Sequence, residues 1–257
     1  MELVEQIIHA HGGADRWRSI SRFSAHVSIS GEILPASEGR PPLGVPYVEV
    51  GGYQLVTTPK SRPTLREVVL EGETHRPFAK VFGSTDMTRY GVYSPGRAEF
   101  RDMSGALISA QDAPVAALAQ HGERQPFETL DRMFLVGALI WGAVIGPFVL
   151  ALGGETREEP RANDRNQYRR MWMELPETLD PITAERWLSI DNRGLIHQIE
   201  HRFLPYHQGQ IVESLSNYES FDGIRIPTLR RMQARRADGT LDQTPLIDIE
   251  IFDVQFS

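Results

Sequence analysis

At 257 residues, with 40% hydrophobic and 24% charged residues, the chain has the composition of a folded domain, which excludes wholesale disorder. Its 34 acidic and 27 basic residues give a net charge of −7, so no overall field gathers nucleic acid or an anionic membrane. There is no cysteine, which removes disulfide scaffolds, thiol nucleophiles and thiolate metal sites together.

Leu3, Val4, Ile7 and Ile8 recur at helical spacing, and Gly12-Gly13 can supply the left-handed backbone that ends a helix, so a helix is expected over 2–12. The opening MELVEQIIHAHGG carries two acids and lacks the basic start and unbroken apolar core of a secretory signal, which predicts a cytoplasmic location. A short turn holding Trp17 and Ile20 follows. From Phe23 the period changes to two: Phe23, Ala25, Val27, Ile29 and Ile33 alternate with Ser24, His26, Ser28, Ser30 and Glu32, as in a half-buried strand.

The Pro- and Gly-rich segment from Pro35 to Pro46 reads as a surface loop, and Tyr47 to Thr57 as one strand. Further strands are expected at Leu65 to Glu71, Lys80 to Phe82, Thr88 to Ser94 and Ala98 to Arg101, and a helix at Pro114 to His121.

The block 127–152 then brings an apolar run with no charge between Met133 and Leu152. It is long enough to cross a bilayer, which takes about 20 apolar residues. Gly137, Gly142 and Gly146 interrupt it, Pro147 cannot continue a helical hydrogen-bond ladder, and no cationic flank marks one side. The reading is therefore no membrane span but a buried helix from Phe127 to about Gly142, a turn, and a second short apolar element. The charged run from Glu155 to Arg165 reads as an exposed loop.

Strands follow at Asn166 to Leu175, Ile182 to Ile190, Leu195 to Phe203, Ile211 to Tyr218, Ile224 to Arg236 and Leu246 to Val254. Short turns such as Asp191-Asn192-Arg193-Gly194, Asp222-Gly223 and Asp238-Gly239 make neighbours antiparallel. Strands on both sides of one apolar block predict a single α+β domain over 1–257, in which a large antiparallel sheet twists into a trough or half-barrel around the helices.

The opening IIHAHGGADRWRSI with FSAHVSISGEI, the central FLVGALIWGAVIGPFVLAL, and the ending GIRIPTLRRMQARRADG with IDIEIFDVQFS resemble a group of uncharacterised bacterial proteins. Through them the chain resembles the superfamily of lipoprotein carriers and related half-barrels of the LolA, LppX and VioE kind. That resemblance implies a half-barrel whose concave face holds acyl chains or, in the VioE branch, shapes a cofactor-free rearrangement. It carries no catalytic residue onto numbered positions of this chain.

His197 and His201 share a face of LIHQIEHRF with Leu195, Ile199 and Phe203, which turns both inward. Either could orient a ligand or move protons, but residues four apart on a strand lie roughly 13 Å apart and cannot share one ion. His9 and His11 point different ways and lack a third ligand, so no metal and no cofactor are expected. Tyr168 and Trp172 on one strand and Trp187 on the next could stack on a partly polar ligand. Phe134, Trp141 and Phe148 would face the trough from the helical block. The cluster Arg230, Arg231, Arg235 and Arg236 reads as a solvated strand edge. P-loop, GxGxxG, GxSxG and HExxH motifs are all missing.

Three functions fit these residues. The first is a soluble intracellular protein that binds an apolar or amphipathic small molecule, lipid-like or a natural-product intermediate. The second is a cofactor-independent biosynthetic enzyme using His197, His201 or Tyr168. The third is an interaction module that docks its apolar helix into a partner. No nucleic acid is expected among the partners, and the oligomeric state is open.

Overall fold

The computed structural model describes residues 2–31, 47–50, 53–56, 64–82, 88–120, 129–159, 168–180, 182–183, 185–203 and 206–257. Helices α1 (Leu3–Ala10) and α2 (Ala14–Arg18) open the chain and precede strand β1 (Arg22–Ser30). A hairpin, β2 (Tyr47–Val50) and β3 (Tyr53–Val56), leads to β4 (Thr64–Glu73), β5 (Ala79–Phe82), β6 (Arg89–Ser94), β7 (Arg97–Asp102) and β8 (Leu107–Asp112). Helices α3 (Pro114–Gln120) and α4 (Thr129–Ile145), a 3₁₀ turn at Gly146–Phe148 and α5 (Val149–Leu152) form the middle. Strands β9 (Glu155–Glu158), β10 (Arg169–Glu174), β11 (Glu185–Ile190), β12 (Ile196–Phe203), β13 (Tyr206–Phe221), β14 (Ile224–Ala234) and β15 (Ile247–Phe256) complete it.

All the described strands join one antiparallel sheet in the order β8-β7-β6-β5-β4-β1-β15-β14-β13-β12-β11-β10-β9, with the β2–β3 hairpin attached to the start of β4. The sheet is open, with β8 and β9 at its edges, and it curves into the half-barrel that the sequence leads one to expect. Strand β1 lies mid-sheet: Ala25 stands opposite Leu70 of β4 and Val254 of β15. Its alternation decides the inside of the trough, because Phe23, Ala25, Val27 and Ile29 are buried while Arg22 and His26 are exposed.

The helical middle begins after one edge strand and ends before the other, so it carries the chain across the concave face. From Met133 onward helix α4 is apolar all round, as a helix buried on nearly every side must be. Met133, Phe134, Leu135, Val136, Ile140, Trp141 and Val144 are shut away from solvent. It packs chiefly on β6, β7 and β5 and reaches β14 across the trough. Phe148 from the 3₁₀ turn stacks on Trp17 of α2, the ring centroids 4.2 Å apart. Helices α1 and α2 thus close one end of the trough. The fit there is tight, since a side chain on Gly12 (φ 122°) would come within 2.5 Å of the Gly223 carbonyl.

Several local expectations differ from the structure. Tyr47 to Thr57 is a hairpin and not one strand, its two strands separated by Gly51-Gly52. Glu155–Glu158, expected in a loop, is an edge strand whose side chains are exposed and whose backbone pairs with β10. Strand β8 was not expected at all. Helix α4 runs past Gly142 to Ile145 and ends where Pro147 enters the 3₁₀ turn. The loop from Pro35 to Pro46, the helix start at Phe127 and the run from Pro160 to Arg165 lie outside the described residues. The burial of most of α4 counts against the third function, because among the described residues little of its apolar surface is left to dock into a partner.

Candidate functional site

Arg230 builds the site. Strand β14 presents Ile224, Ile226, Thr228, Arg230, Met232 and Ala234 to the trough, so one guanidinium stands in a largely apolar row. It is no solvated edge residue: β14 is interior to the sheet, and the side chain is only 7% exposed. Its Nε donates to Glu213 Oε1 of β13 at 2.6 Å, and its Nη1 donates to the Gly142 carbonyl at 2.9 Å. Gly142 belongs to the last turn of α4, so the cation lies toward the negative end of the helix.

Glu213 faces His201 of β12, its Oε2 lying 4.0 Å from the imidazole Nε2. Burial alone would raise the Glu213 pKa, but the adjacent Arg230 outweighs it and holds the carboxyl below its ordinary value. Burial lowers the His201 pKa more than Glu213 raises it, so the ring is neutral at pH 7. Arg186 of β11 lies beyond, bonded to Asp180 and, through Nη2, to the Thr183 carbonyl and hydroxyl at 2.7 Å each. Asp180 in turn accepts from the backbone N–H of Ile182 at 3.0 Å and of Thr183 at 2.8 Å. These bonds and Arg186 overcome the upward push of burial and keep its pKa low.

These groups line one wall of a cavity of about 50 Å³ that opens to solvent; the other wall is apolar, with Leu139, Trp141 and Val149 from the helical block and Leu179 and Ile182 from the loop before β11. Gly142 makes the space. A methyl group placed on it would meet no atom within 4 Å. The volume holds a few water molecules and is well under the roughly 300–1,000 Å³ of a drug-sized pocket.

Of the residues expected to bind a ligand, Trp141 and His201 reach this cavity, with Trp141 Nε1 tied to the Glu73 carbonyl at 2.9 Å. Phe134 packs on Tyr93, and Phe148 on Trp17, as core. Trp172 and Trp187 oppose each other across β10 and β11, and their indole N–H groups bond Glu185 and Glu159. Their neighbours Met171, Met173 and Leu188 face the trough, so both tryptophans lie on the other side of the sheet, away from the cavity. His197 is a third exposed and belongs to a separate group: Nε2 lies 3.1 Å from Asp191 Oδ2, and the ring stacks on Tyr168 at 5.3 Å and meets Tyr218 edge-on. The two strand histidines therefore serve different places, as their spacing requires.

Reading the sequence missed Asp180, Arg186 and Glu213, and placed Arg230 at a solvated edge instead of in the trough. A signal for two of them existed, since Glu213 sits in phase with Ile211 and Leu215, and Arg230 with Thr228 and Met232. Among the described residues, no three histidine or acidic side chains converge as a metal site needs.

No protein-family model matches the chain, and no curated protein matches it. Among solved structures, the chain is similar to a DUF1329 family protein from Desulfovibrio piger ATCC 29098, with a TM-score of 0.51 over 99% of this chain and 92% of that one, at 8% identity. The two share a fold. A LolA superfamily protein, NE2245 from Nitrosomonas europaea, is also similar, with a TM-score of 0.39 over 100% of this chain and 94% of that one, at 13% identity.

Proposed function

We propose that the protein binds a small amphipathic molecule at the edge of the filled trough. The polar end of the ligand enters the cavity beneath Gly142, and its apolar part lies along Leu139, Val149, Leu179 and Ile182. One observation carries this reading: a single cavity has a greasy wall from α4 and a wall of buried, mutually paired ions from the sheet. Each ion is fixed by other protein groups, so the wall is already organised before a ligand arrives, which lowers the cost of binding. Because α4 fills most of the trough, the ligand is short, unlike the acyl chains that an unfilled half-barrel would hold.

A second reading is favoured by His201. A neutral imidazole beside an ionised carboxylate in a small cavity is equipped to take a proton from a bound molecule, as a cofactor-independent catalyst would. One experiment addresses both readings. Native mass spectrometry of the full chain, purified without detergent, should show a bound small molecule that is lost in Gly142→Leu, where the added side chain fills the cavity. An empty wild-type protein would overturn the proposal. A bound mass that changes on incubation, and stays constant in His201→Gln, would select the catalyst.

A further inference from the structure

One acceptor in the cavity wall is left over. Asp180 is engaged on both oxygens: Oδ1 receives the backbone N–H groups of Ile182 and Thr183, and Oδ2 receives the Thr183 hydroxyl at 2.8 Å and Arg186. Glu213 is engaged on one side only. Its Oε1 receives Arg230 Nε, whereas Oε2 makes no hydrogen bond among the described residues and has His201 Nε2 4.0 Å away. The side chain is 7% exposed, yet Oε2 is not sealed off, because Glu213 lines the cavity and the cavity opens to solvent. Arg230 keeps the carboxyl ionised, so this oxygen is charged. A molecule entering the cavity takes the place of the water that would otherwise solvate it, and a charged acceptor stripped of donors is costly. The ligand must therefore bring a donor of its own.

Charge narrows the kind of donor. Arg230 offsets Glu213, Arg186 offsets Asp180, and burial keeps the His201 ring neutral, so the wall holds no spare negative charge for a cation. An ammonium group would give up its water and face two guanidiniums as well as two carboxylates, which makes desolvation dominate. A hydroxyl gives up far less. Its hydrogen can go to Oε2 in a charge-assisted bond while its lone pairs turn to the Arg230 guanidinium beside it. A ketone can do only the second and leaves Oε2 bare. Building on the binding site proposed above, we infer that the polar end of the ligand is a neutral hydroxyl that donates to Glu213 Oε2, which makes the ligand class a short apolar alcohol.

Three probes on one carbon skeleton test this at about pH 7: pentyl methyl ketone, the secondary alcohol obtained by reducing it, and the corresponding amine, which is protonated there. Each is titrated into the full chain and followed by amide chemical shifts. Changes should centre on Gly142, Ile182, Thr183 and Glu213, with the alcohol binding at least about tenfold more tightly than the ketone or the ammonium. In Glu213→Gln the side-chain carbonyl is taken by Arg230, which leaves an amide N–H donor where Oε2 stood, so the ketone should then bind at least as tightly as the alcohol. If that variant does not fold, the comparison of the three probes in the wild type still decides. Ketone or ammonium binding to the wild type as tightly as the alcohol would overturn the inference and leave the site standing, as would an alcohol preference that survives in Glu213→Gln. Failure of all three to bind, or shifts that persist in Gly142→Leu, would overturn both, leaving a cavity that holds water only.

Discussion

His11 sits wholly inside the closed end of the trough, its Nδ1 donating to the Ile7 carbonyl at 2.7 Å while Nε2 has no partner among the described residues. Burial lowers its pKa from the ordinary 6.5 to about 4, against a smaller upward pull from the Ile7 bond. The unfolded chain therefore takes up a proton between those values that the folded chain refuses. Stability is full above about pH 6.5 and falls as pH drops towards 4, by about 3 kcal/mol in all. His11→Asn, whose amide N–H can replace Nδ1, should show a flatter urea-denaturation profile over that window. Parallel profiles for the two proteins would mean that His11 is not the group responsible. Side-chain roles of this kind were the least legible in the sequence. Alternation alone would pair His197 with His201, but the strand register shifts at His197, which is held by Asp191 of the preceding turn, while His201 meets Glu213 from the neighbouring strand.

Glycines along α4 have opposite meanings that only the element's neighbours reveal. A Cβ on Gly137 would lie 2.5 Å from Tyr93 Cβ, whereas one on Gly142 enters open space. Gly137→Ala should cost about 1–3 kcal/mol by overpacking, and Gly142→Ala should gain about 0.5–1 kcal/mol from helix propensity alone. Thermal unfolding of the pair checks this, and shifts of the same sign would contradict the assigned packing. At this scale the sequence was readable wherever burial was one-sided or complete. β1 alternates because one face is in the trough, and α4 is greasy from Met133 onward because nearly all its faces are covered. Strands β8 and β9 escaped notice for the converse reason. They lie at the sheet edges, where LISAQD and ETRE bury little, so backbone pairing holds them with almost no hydrophobic pattern.

Across the molecule, protection from solvent should follow the sheet order. Amide hydrogen exchange is expected to be slowest in α4 and in β1, which has a strand on each side, and fastest in β8 and β9. Rapid exchange between Met133 and Val149 would contradict a helix enclosed by the sheet. The half-barrel itself was legible because one long apolar segment between two sets of strands has few places to go. The position of β1 between β4 and β15 was not, since pairing between the first and last strands leaves no local trace.

That pairing bears on how the protein is made. When α4 leaves the ribosome, β1 and β4 to β8 already exist and can shelter the side that packs on β5 to β7. The strands that cover its other side, β14 among them, come later, and β15 must find β1 across nearly the whole intervening chain. Such distant pairings close slowly. During that interval the greasiest segment of the protein is half-clothed, at the stage when its first strand still awaits its last.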